Sequence, residues 1–324
     1  MKYFFYLFFL SVFLSCASSS PKEKIDYRAE MRSFVIEIAE FARKQDPDFI
    51  VIPQNGHDLL VKRTGEQADD YLSAIDGVGQ ESLIFGYDGD NTLTPQDSRE
   101  YLLEFLRTAK RDGKTVLVTD YTDEDQKIKR SYERNSLNGF ISFSAPEREL
   151  TYIPDSNEFV KNENNRNINS LSDAKNFLYL LNYENYDSKD ELLSALSSTN
   201  FDVFIMDAFF HSSILTKEDL DKIRIKADGG KRLLISYMSI GEAEDYRFYW
   251  KSDWNKKELS WIDSENPNWP GNFKVKYWNK DWKKIIYGND NSYTQRILDT
   301  GFDGVYLDII DGFWYFENKS DLAY

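Results

Sequence analysis

Short apolar runs alternate with helical patterns along most of the chain, and this alternation is the feature that most constrains its fold. Eight runs have the length and composition of strands: 49–53, 71–78, 115–120, 139–143, 177–181, 202–207, 232–238 and 302–308. Helical patterns lie between many of them, at 98–111, 189–197, 217–226 and 292–300. Alternating strands and helices predict a parallel sheet, and eight strands favour an α/β fold, a (β/α)8 TIM barrel. A doubly wound open sheet is the alternative, because a strand count does not determine closure.

The two ends of the chain are reversed relative to a standard barrel, which starts with a strand and ends with a helix. Residues 27–44 form an amphipathic pattern whose apolar members share one helical face: Met31, Phe34, Val35, Ile38 and Phe41. The last predicted strand, 302–308, is followed by few residues, which leave no room for another helix. We therefore expect the first helix to pack behind the last strand, in a circularly permuted barrel closed by its own termini.

The segment 154–168, PDSNEFVKNENNRNI, is polar, rich in asparagine and without periodicity. Such a composition is typical of a linker. We place a polar linker at about 154–170, where it joins what would be the free ends of an unpermuted barrel, inside a single domain that spans 27–324.

The N-terminus resembles a bacterial lipoprotein signal. Residues 1–15, MKYFFYLFFLSVFLS, combine one lysine with an apolar run too short to span a bilayer comfortably, and Cys16 follows. Lipidation of Cys16 would leave residues 16–26 as a tether and anchor the domain to the bacterial cell envelope, periplasmic or surface-exposed. An ordinary secretory signal and an uncleaved anchor are the alternatives, and all three place the domain outside the cytoplasm.

Charge and rare residues exclude several classes of function. The formal net charge of −15, with no basic run, argues against nucleic-acid binding and suits a neutral or cationic ligand. Cys16 is the only cysteine, so the mature domain has neither a disulfide nor a thiolate nucleophile. His57 and His211 lie far apart without ligand spacing, so we expect no metal site and no cofactor. The domain is expected to act as a monomer.

The predicted strands end in polar residues, many of them acidic. In strand order these are Gln54 and Asn55, Glu81, Asp120, Asn182, Asp207, then Ser239, Glu242 and Glu244, and finally Asp308 and Asp311. Catalytic groups of such barrels lie at the carboxyl ends of the strands, so these side chains would face one mouth. Paired carboxylates without ligand histidines are typical of glycoside hydrolysis. Any single acid could instead be a strand-end cap or an ion-pair partner.

Six of the seven tryptophans crowd between the seventh and eighth strands: Trp250, Trp254, Trp261, Trp269, Trp278 and Trp282. Aromatic faces stack on the apolar faces of sugars, so one or two of these rings, Trp250 among them, would form a sugar platform. The alternative is that at least half of them form the core of the loop itself.

Five stretches together resemble glycoside hydrolase family 114, a group of (β/α)8 endo-α-1,4-polygalactosaminidases. They are LLISYMSIGEAEDYRFYW (233–250), NPNWPGNFKVKYWNKDWKKII (266–286), GFDGVYLDIID (301–311), EMRSFVIEIAEFARKQDPDFIVIPQNG (30–56) and GVGQES (77–82). In the family the last two follow the YLD motif, whereas here they precede it. The exchanged order agrees with the permutation inferred from the strand pattern.

The resemblance implies catalytic acids at Asp308 and Glu81, without settling which is the acid and which the nucleophile. It also implies substrate-binding roles for Asp207, Tyr237, Glu242, Arg247, Asn55 and Asp120. We add the neighbouring residues Trp250 and Asp311 to this set. Arg247 would orient an acid or hold a ligand oxygen. The implied substrate is an α-1,4-linked galactosamine polymer, partly deacetylated and therefore cationic.

We expect an envelope-anchored, endo-acting glycoside hydrolase for an amino-sugar polysaccharide. A glycan-binding or partner-binding surface lipoprotein of the same fold, without turnover, is the main alternative. Hydrolysis of a different glycan is a weaker one.

Overall fold

Eight parallel strands form the centre of the protein in a computed structural model that describes residues 25–154, 161–254 and 259–321. These eight strands and five others outside the central sheets are, in chain order, β1 (Ile50–Pro53), β2 (Gly77–Glu81), β3 (Thr115–Tyr121), β4 (Ile141–Ala145), β5 (Phe177–Leu180), β6 (Val203–Met206), β7 (Phe209–Phe210), β8 (Ser213–Ile214), β9 (Leu233–Ser239), β10 (Glu242–Glu244), β11 (Ile262–Glu265), β12 (Asn272–Val275) and β13 (Gly304–Asp308). The helices are α1 (Tyr27–Arg43), α2 (Asp69–Ala74), α3 (Gln96–Arg111), α4 (Asp125–Leu137), α5 (Lys189–Ser197), α6 (Lys217–Ile223), α7 (Lys280–Ile286), α8 (Tyr293–Thr300) and α9 (Phe313–Asp321).

The parallel strands belong to two hydrogen-bonded sheets, β1-β13-β9-β6-β5 and β2-β3-β4. A parallel bridge between Gln54 and Gly79 joins β1 to β2 at one junction. At the other junction β4 and β5 are packed together by side chains, with the rings of Phe143 and Phe177 5.9 Å apart. The α/β fold with a central parallel sheet is confirmed. The eight strands follow one another in a ring whose backbone ladder, over the described residues, is interrupted between β4 and β5.

The small strands β7, β8 and β10–β12 lie outside this ring of eight. β7 and β8 pair in an antiparallel hairpin after β6. β10, β12 and β11 form a separate antiparallel sheet in the long connection between β9 and β13. These additions extend the chain at the carboxyl ends of β6 and β9, which is the end where the acidic residues lie.

The first helix lies where the sequence places it. Met31, Phe34, Val35 and Ile38 are fully buried, and α1 contacts β1, α2 and α8. Helix α8 leads into β13 and α2 leads into β2, so α1 occupies the position behind the junction of β13 and β1. The Asp26 carboxylate caps the helix by accepting a hydrogen bond from the Ala29 N–H (3.0 Å).

Two local predictions are wrong. Residues 71–74 belong to helix α2, and the strand begins only at Gly77. The buried side chains Tyr71, Leu72 and Ile75 recur at helical spacing, and this periodicity prevails over their strand-like composition. A helix also follows the last strand, because a tight turn allows α9 to begin at Phe313.

Of the predicted linker, about 154–170, the structure describes residue 154 and residues 161–170. The second half of the linker is fastened to the ring, because the Asn164 side chain donates hydrogen bonds to both carboxylate oxygens of Asp202 (3.1 Å each). Lys226 pairs with the same carboxylate (2.9 Å), and both charged groups of that ion pair are fully buried. The described part of the linker is therefore anchored at the start of β6.

The signal sequence, Cys16 and all but the end of the tether lie outside the described residues. Within the described part of the chain, no helix combines the length and the apolar character needed to cross a membrane.

Candidate active site

Asp308 ends β13 at the mouth of the ring. Its Oδ2 accepts a hydrogen bond from the Tyr237 hydroxyl (2.7 Å), and its Oδ1 accepts one from the Ile309 N–H (2.7 Å). Burial and then the charge of Glu81 raise the pKa of Asp308 from 3.8 to about 8, although the two hydrogen bonds oppose the shift. Asp308 therefore holds a proton at neutral pH.

Glu81 ends β2 on the same side of the ring. Its Oε2 accepts a hydrogen bond from Asn55 Nδ2 (3.0 Å), and its Oε1 accepts one from the Tyr121 hydroxyl. Asn55 also accepts from the Glu81 N–H (3.1 Å). Both carboxylate oxygens are thus held by donors on neighbouring strands. Asp308 and Glu81 end strands that lie on either side of β1, and the charge of Glu81 contributes to raising the pKa of Asp308.

Asp311 joins these two carboxyl groups from the turn Ile310–Gly312. Burial, followed by the charges of Glu81 and Glu242, raises the pKa of Asp311 from 3.8 to about 6. Asp311 and Glu81 line one cavity of about 430 Å³ that also includes Asn55. Glu81 and Asp311, from opposite ends of the chain, therefore share one cleft. Asp308 is not among the residues that line it, but the charges of both act on Asp308.

The backbone is strained immediately after three of the strands that carry the site. Asn55, Ser82 and Ile309 all adopt left-handed conformations, with φ of 60°, 56° and 58°. This region is unfavourable for a β-branched residue such as Ile309. Gly241 makes room for it, because a Cβ at that position would lie 2.1 Å from the Ile309 carbonyl oxygen. Strain of this kind clusters at functional sites, where the surrounding structure imposes it.

Arg247 orients two other acids. Its Nη1 donates to Asp207 Oδ1 (2.8 Å), and its Nε donates to Glu244 Oε2 (2.6 Å). Burial raises the pKa of Asp207, and the charge of Arg247 opposes that shift. The positive charge of Arg247 is therefore compensated locally by two carboxylates.

Glu242 lies on β10 and is held by the neighbouring hairpin. Asn266 Nδ2 donates to its Oε1 (2.9 Å), and Lys274 of β12 lies 4.0 Å from the same oxygen. Burial raises the pKa of Glu242. Its charge contributes to raising the pKa of Asp311, although Glu242 is almost fully buried and does not line the cavity of Glu81 and Asp311.

Asp120 does not face the cleft, contrary to the prediction that it binds substrate. Its carboxylate is fully buried and accepts hydrogen bonds from the N–H groups of Ile84 (2.7 Å) and Phe85 (3.1 Å). The other oxygen accepts from Ser131 Oγ (2.6 Å) and Asn135 Nδ2 (2.9 Å) of α4. Asp120 thus points towards the outer helices and secures the loop that follows Glu81.

Trp250 belongs to the core of its own loop, which corrects its prediction as a sugar platform. Its ring stacks on Phe273, with centroids 4.9 Å apart, and contacts Trp254 at 5.3 Å. Trp254 continues to Trp261 (5.1 Å), which stacks on Trp282 (5.2 Å). The alternative of a loop core therefore describes these rings.

The floor of the site consists of residues that the sequence analysis missed. Tyr306 lies against Gly79, where a Cβ would be 2.0 Å from the tyrosine hydroxyl oxygen. The ring of Tyr179 is 5.3 Å from that of Tyr306, and its hydroxyl donates to Gln54 Oε1 (2.9 Å). Tyr121, which holds Glu81, was also missed, although strand alternation places it on the face opposite to Asp120.

The histidine that lines this cavity, His57, is already engaged by the protein. His57 is buried, and burial lowers its pKa from 6.5 to about 4. Its Nε2 forms a hydrogen bond with Gln80 Oε1 (2.6 Å). Among residues 25–154, 161–254 and 259–321 no group of three or more histidine, cysteine or acidic side chains has the arrangement of a metal site.

Comparisons with known proteins point to one family. The sequence model of glycoside-hydrolase family GH114 matches residues 160–324. An uncharacterized protein of Thermotoga maritima is 40% identical over 128 residues, which is 40% of this chain and 38% of that protein. An uncharacterized protein of Methanocaldococcus jannaschii is 36% identical over 190 residues, or 56% and 51% of the two chains. The chain thus spans about half or less of the length of these relatives.

Among solved structures, the chain matches that of Aspergillus fumigatus Ega3 in complex with galactosamine. The match has 24% identity and a TM-score of 0.27, and it covers 42% of this chain and 43% of that chain.

Proposed function

Since the chain belongs to glycoside-hydrolase family GH114, we propose that it hydrolyses glycosidic bonds of a polysaccharide with Asp308 and Glu81 as its two carboxylates. The observation that carries this proposal is that two carboxyl groups are fixed at strand ends on one side of the ring, Asp308 by Tyr237 and Glu81 by Asn55 and Tyr121. In agreement with it, burial and then the charge of Glu81 raise the pKa of Asp308 to about 8. A carboxyl group that keeps its proton at neutral pH beside a second carboxyl group is the pairing that this reaction needs.

In this mechanism Asp308 is the general acid that protonates the leaving oxygen. Glu81, held through both oxygens by Asn55 and Tyr121, is the carboxylate that attacks the sugar or activates water. Tyr237 keeps the carboxyl group of Asp308 in one orientation. Asp308 can act as the acid only while it is protonated, so kcat/KM should fall as the pH rises above about 8.

The proposed substrate is a cationic, α-1,4-linked galactosamine polymer that is cleaved internally. Asp308 is uncharged at neutral pH, and the negative charge near it comes from Asp311, Glu81 and Glu242, of which the last two both raise the pKa of Asp311. The nearby Arg247 is compensated by its own two carboxylates. The surplus of negative charge favours protonated amino sugars over anionic ones.

The test uses the full chain in detergent with partly deacetylated α-1,4-galactosamine oligomers. We expect shorter oligomers by mass spectrometry, and a fall in kcat of about 10²–10⁴-fold in Asp308→Asn and in Glu81→Gln. Asp290→Asn changes an exposed carboxylate and serves as the matched control. Binding without cleavage by the unmodified chain would contradict the proposal and support the glycan-binding alternative.

Circular permutation is part of this proposal. Its support is the contact between the ends of the domain: Arg28 Nε donates to Glu317 Oε1 (3.1 Å), and the rings of Tyr27 and Phe316 are 5.7 Å apart. The family match begins at residue 160, within the predicted polar linker, and not at the first helix. A family domain that begins there and runs through the YLD motif would have its C-terminal part displaced to the front of this chain.

Anchoring to the bacterial envelope through a lipid on Cys16 is proposed from the sequence of residues 1–16. Metabolic labelling with a radioactive fatty acid tests it. We expect label in the unmodified chain and none in Cys16→Ser, with the protein in the membrane fraction only in the first case. Equal labelling of both chains would contradict the proposal.

A further inference from the structure

Three exposed aromatic side chains line the cavity that contains Glu81 and Asp311. Tyr87 is 55% exposed, Tyr101 47% and Trp314 41%. We call these three residues the aromatic wall. The cavity volume of about 430 Å³ lies within the range of ligand sites, about 300–1,000 Å³.

The aromatic wall is assembled from three separate parts of the fold. Tyr87 follows β2, Tyr101 lies on α3, and Trp314 lies in the first turn of α9. The Arg28 guanidinium lies over the Trp314 ring, 4.4 Å from its centroid. The Tyr101 hydroxyl donates to Asp58 Oδ1 (2.7 Å). Two of the three rings are therefore held by polar partners while their surfaces stay open to solvent.

The charges around the aromatic wall are mostly negative. Asp58, Glu81 and Asp311 line the cavity together with one cation, Arg148. Arg148 pairs with Asp90 (2.8 Å) and lies over the Tyr121 ring at 4.3 Å. Its charge is thus already compensated, and the cavity suits neutral or protonated sugars.

We propose that the aromatic wall is a subsite that binds sugar units of the polymer beyond the bond being cleaved, with Trp314 as its main stacking surface. The inference rests on the proposed function, because it takes Glu81, one of the two proposed catalytic carboxylates, to mark the cleavage point. Aromatic rings stack on the apolar faces of pyranoses, and open rings beside catalytic carboxylates provide such surfaces along a cleft. The consequence is a preference for substrates long enough to reach the wall.

The kinetic test compares long and short galactosamine oligomers in the full chain, Trp314→Ala and Tyr87→Ala. We expect kcat/KM for long oligomers to fall about 10-fold in Trp314→Ala, the factor that corresponds to about 1.4 kcal/mol of stacking. For the shortest oligomer that is cleaved, kcat/KM of Trp314→Ala should equal that of the unmodified chain. Trp314→Phe should recover most of the loss.

Trp269→Ala is the matched control, because Trp269 is 49% exposed and does not line this cavity. It should behave as the unmodified chain at every length. If Trp314→Ala also does so while the unmodified chain cleaves, the aromatic wall is not a subsite, although the proposed function stands.

A binding measurement separates the two proposals. Calorimetry in the Asp308→Asn background follows oligomer binding without turnover, and adding Trp314→Ala should weaken the binding of long oligomers by about 10-fold. If the unmodified chain cleaves nothing but this loss is found, the subsite is supported and the hydrolase is not. Equal binding by the single and double variants, or no binding by either, overturns the subsite.

Discussion

Asp308 shows how a single carboxyl group couples function to stability. A buried acid beside a second acid is useful because it retains a proton, but this arrangement costs stability whenever the group must ionise. The ordinary pKa of 3.8 applies in the unfolded chain, whereas in the folded chain the pKa is about 8. Between these two values the folded state binds more protons than the unfolded state.

The free energy of unfolding should therefore decline as pH rises from about 4 to about 8, since the slope follows the protons bound by the unfolded state minus those bound by the folded state. Asp308→Asn cannot titrate and should lose this part of the decline. We expect the variant to gain at least about 1 kcal/mol relative to the unmodified protein between pH 5 and pH 8 in urea unfolding. Identical pH dependence of the two proteins would contradict this reasoning, and Asp290→Asn controls for loss of one surface charge.

At the scale of elements, the site depends on ties between a strand end and the layer outside it. Asp120 joins the end of β3 to α4 and to the loop after β2. That loop directly follows Glu81, the last residue of β2. Four donors share its two oxygens. Because these donors are buried with it, removal of the carboxylate leaves them without partners.

Asp120→Ala should lower the free energy of unfolding by about 3 kcal/mol or more, since each buried donor left unsatisfied costs about 1–3 kcal/mol. Urea unfolding measures the change. Asp290→Ala, an exposed acid, should stay within about 0.5 kcal/mol of the unmodified protein. If Asp120 instead bound substrate directly, Asp120→Ala would raise KM and leave the free energy of unfolding unchanged.

Asp120 and Tyr121 also show where the sequence analysis was limited. The run of 115–120 correctly placed an acid at the end of a strand, because apolar composition marks strands well. It did not decide which of two adjacent side chains faces the cleft. Successive side chains of a strand point to opposite faces, so an error of one residue in the strand assignment exchanges the side chain that faces the cleft for its neighbour. The residues of α4 that hold Asp120 on the outer face lie outside the strand itself. Asp308 and Glu81 were assigned because long motifs surround them.

For the whole molecule, the order of the elements could be anticipated better than their details. The position of α1 behind the junction of β13 and β1 agrees with its contacts with α8 and β1, although the premise that no helix follows the last strand was wrong. Helix α2 was taken for part of a strand because its short apolar stretch fits either periodicity, and α9 was missed because the residues after the last strand were judged too few for a helix. Closure of the ring depends on pairing between distant strands, which composition does not encode.

A reordered chain tests the permutation directly. It would begin at residue 161, run to Asp321, continue through a short glycine-rich connection to Ile25, and end at Pro154. We expect cooperative unfolding and kcat/KM within about 10-fold of the unmodified chain, because the joined ends already touch and longer loops cost little entropy. A second reordered chain, cut inside β9 between Ile235 and Ser236, should fail to fold. Failure of both chains alike would argue against the permutation.

Across the gap in the ladder, β4 and β5 themselves are in contact through side chains, and the nearest backbone hydrogen bond joins Leu181 N–H to the Leu150 carbonyl beyond the end of β4 (2.9 Å). Rings such as Phe143 and Phe177 can slide by fractions of an ångström without breaking a backbone hydrogen bond, whereas the other flanks resist such movement. Changes in the circumference of the mouth are therefore easiest at this seam. A bulky polymer that widens the entrance would transmit its strain there, far along the sequence from both Glu81 and Asp308.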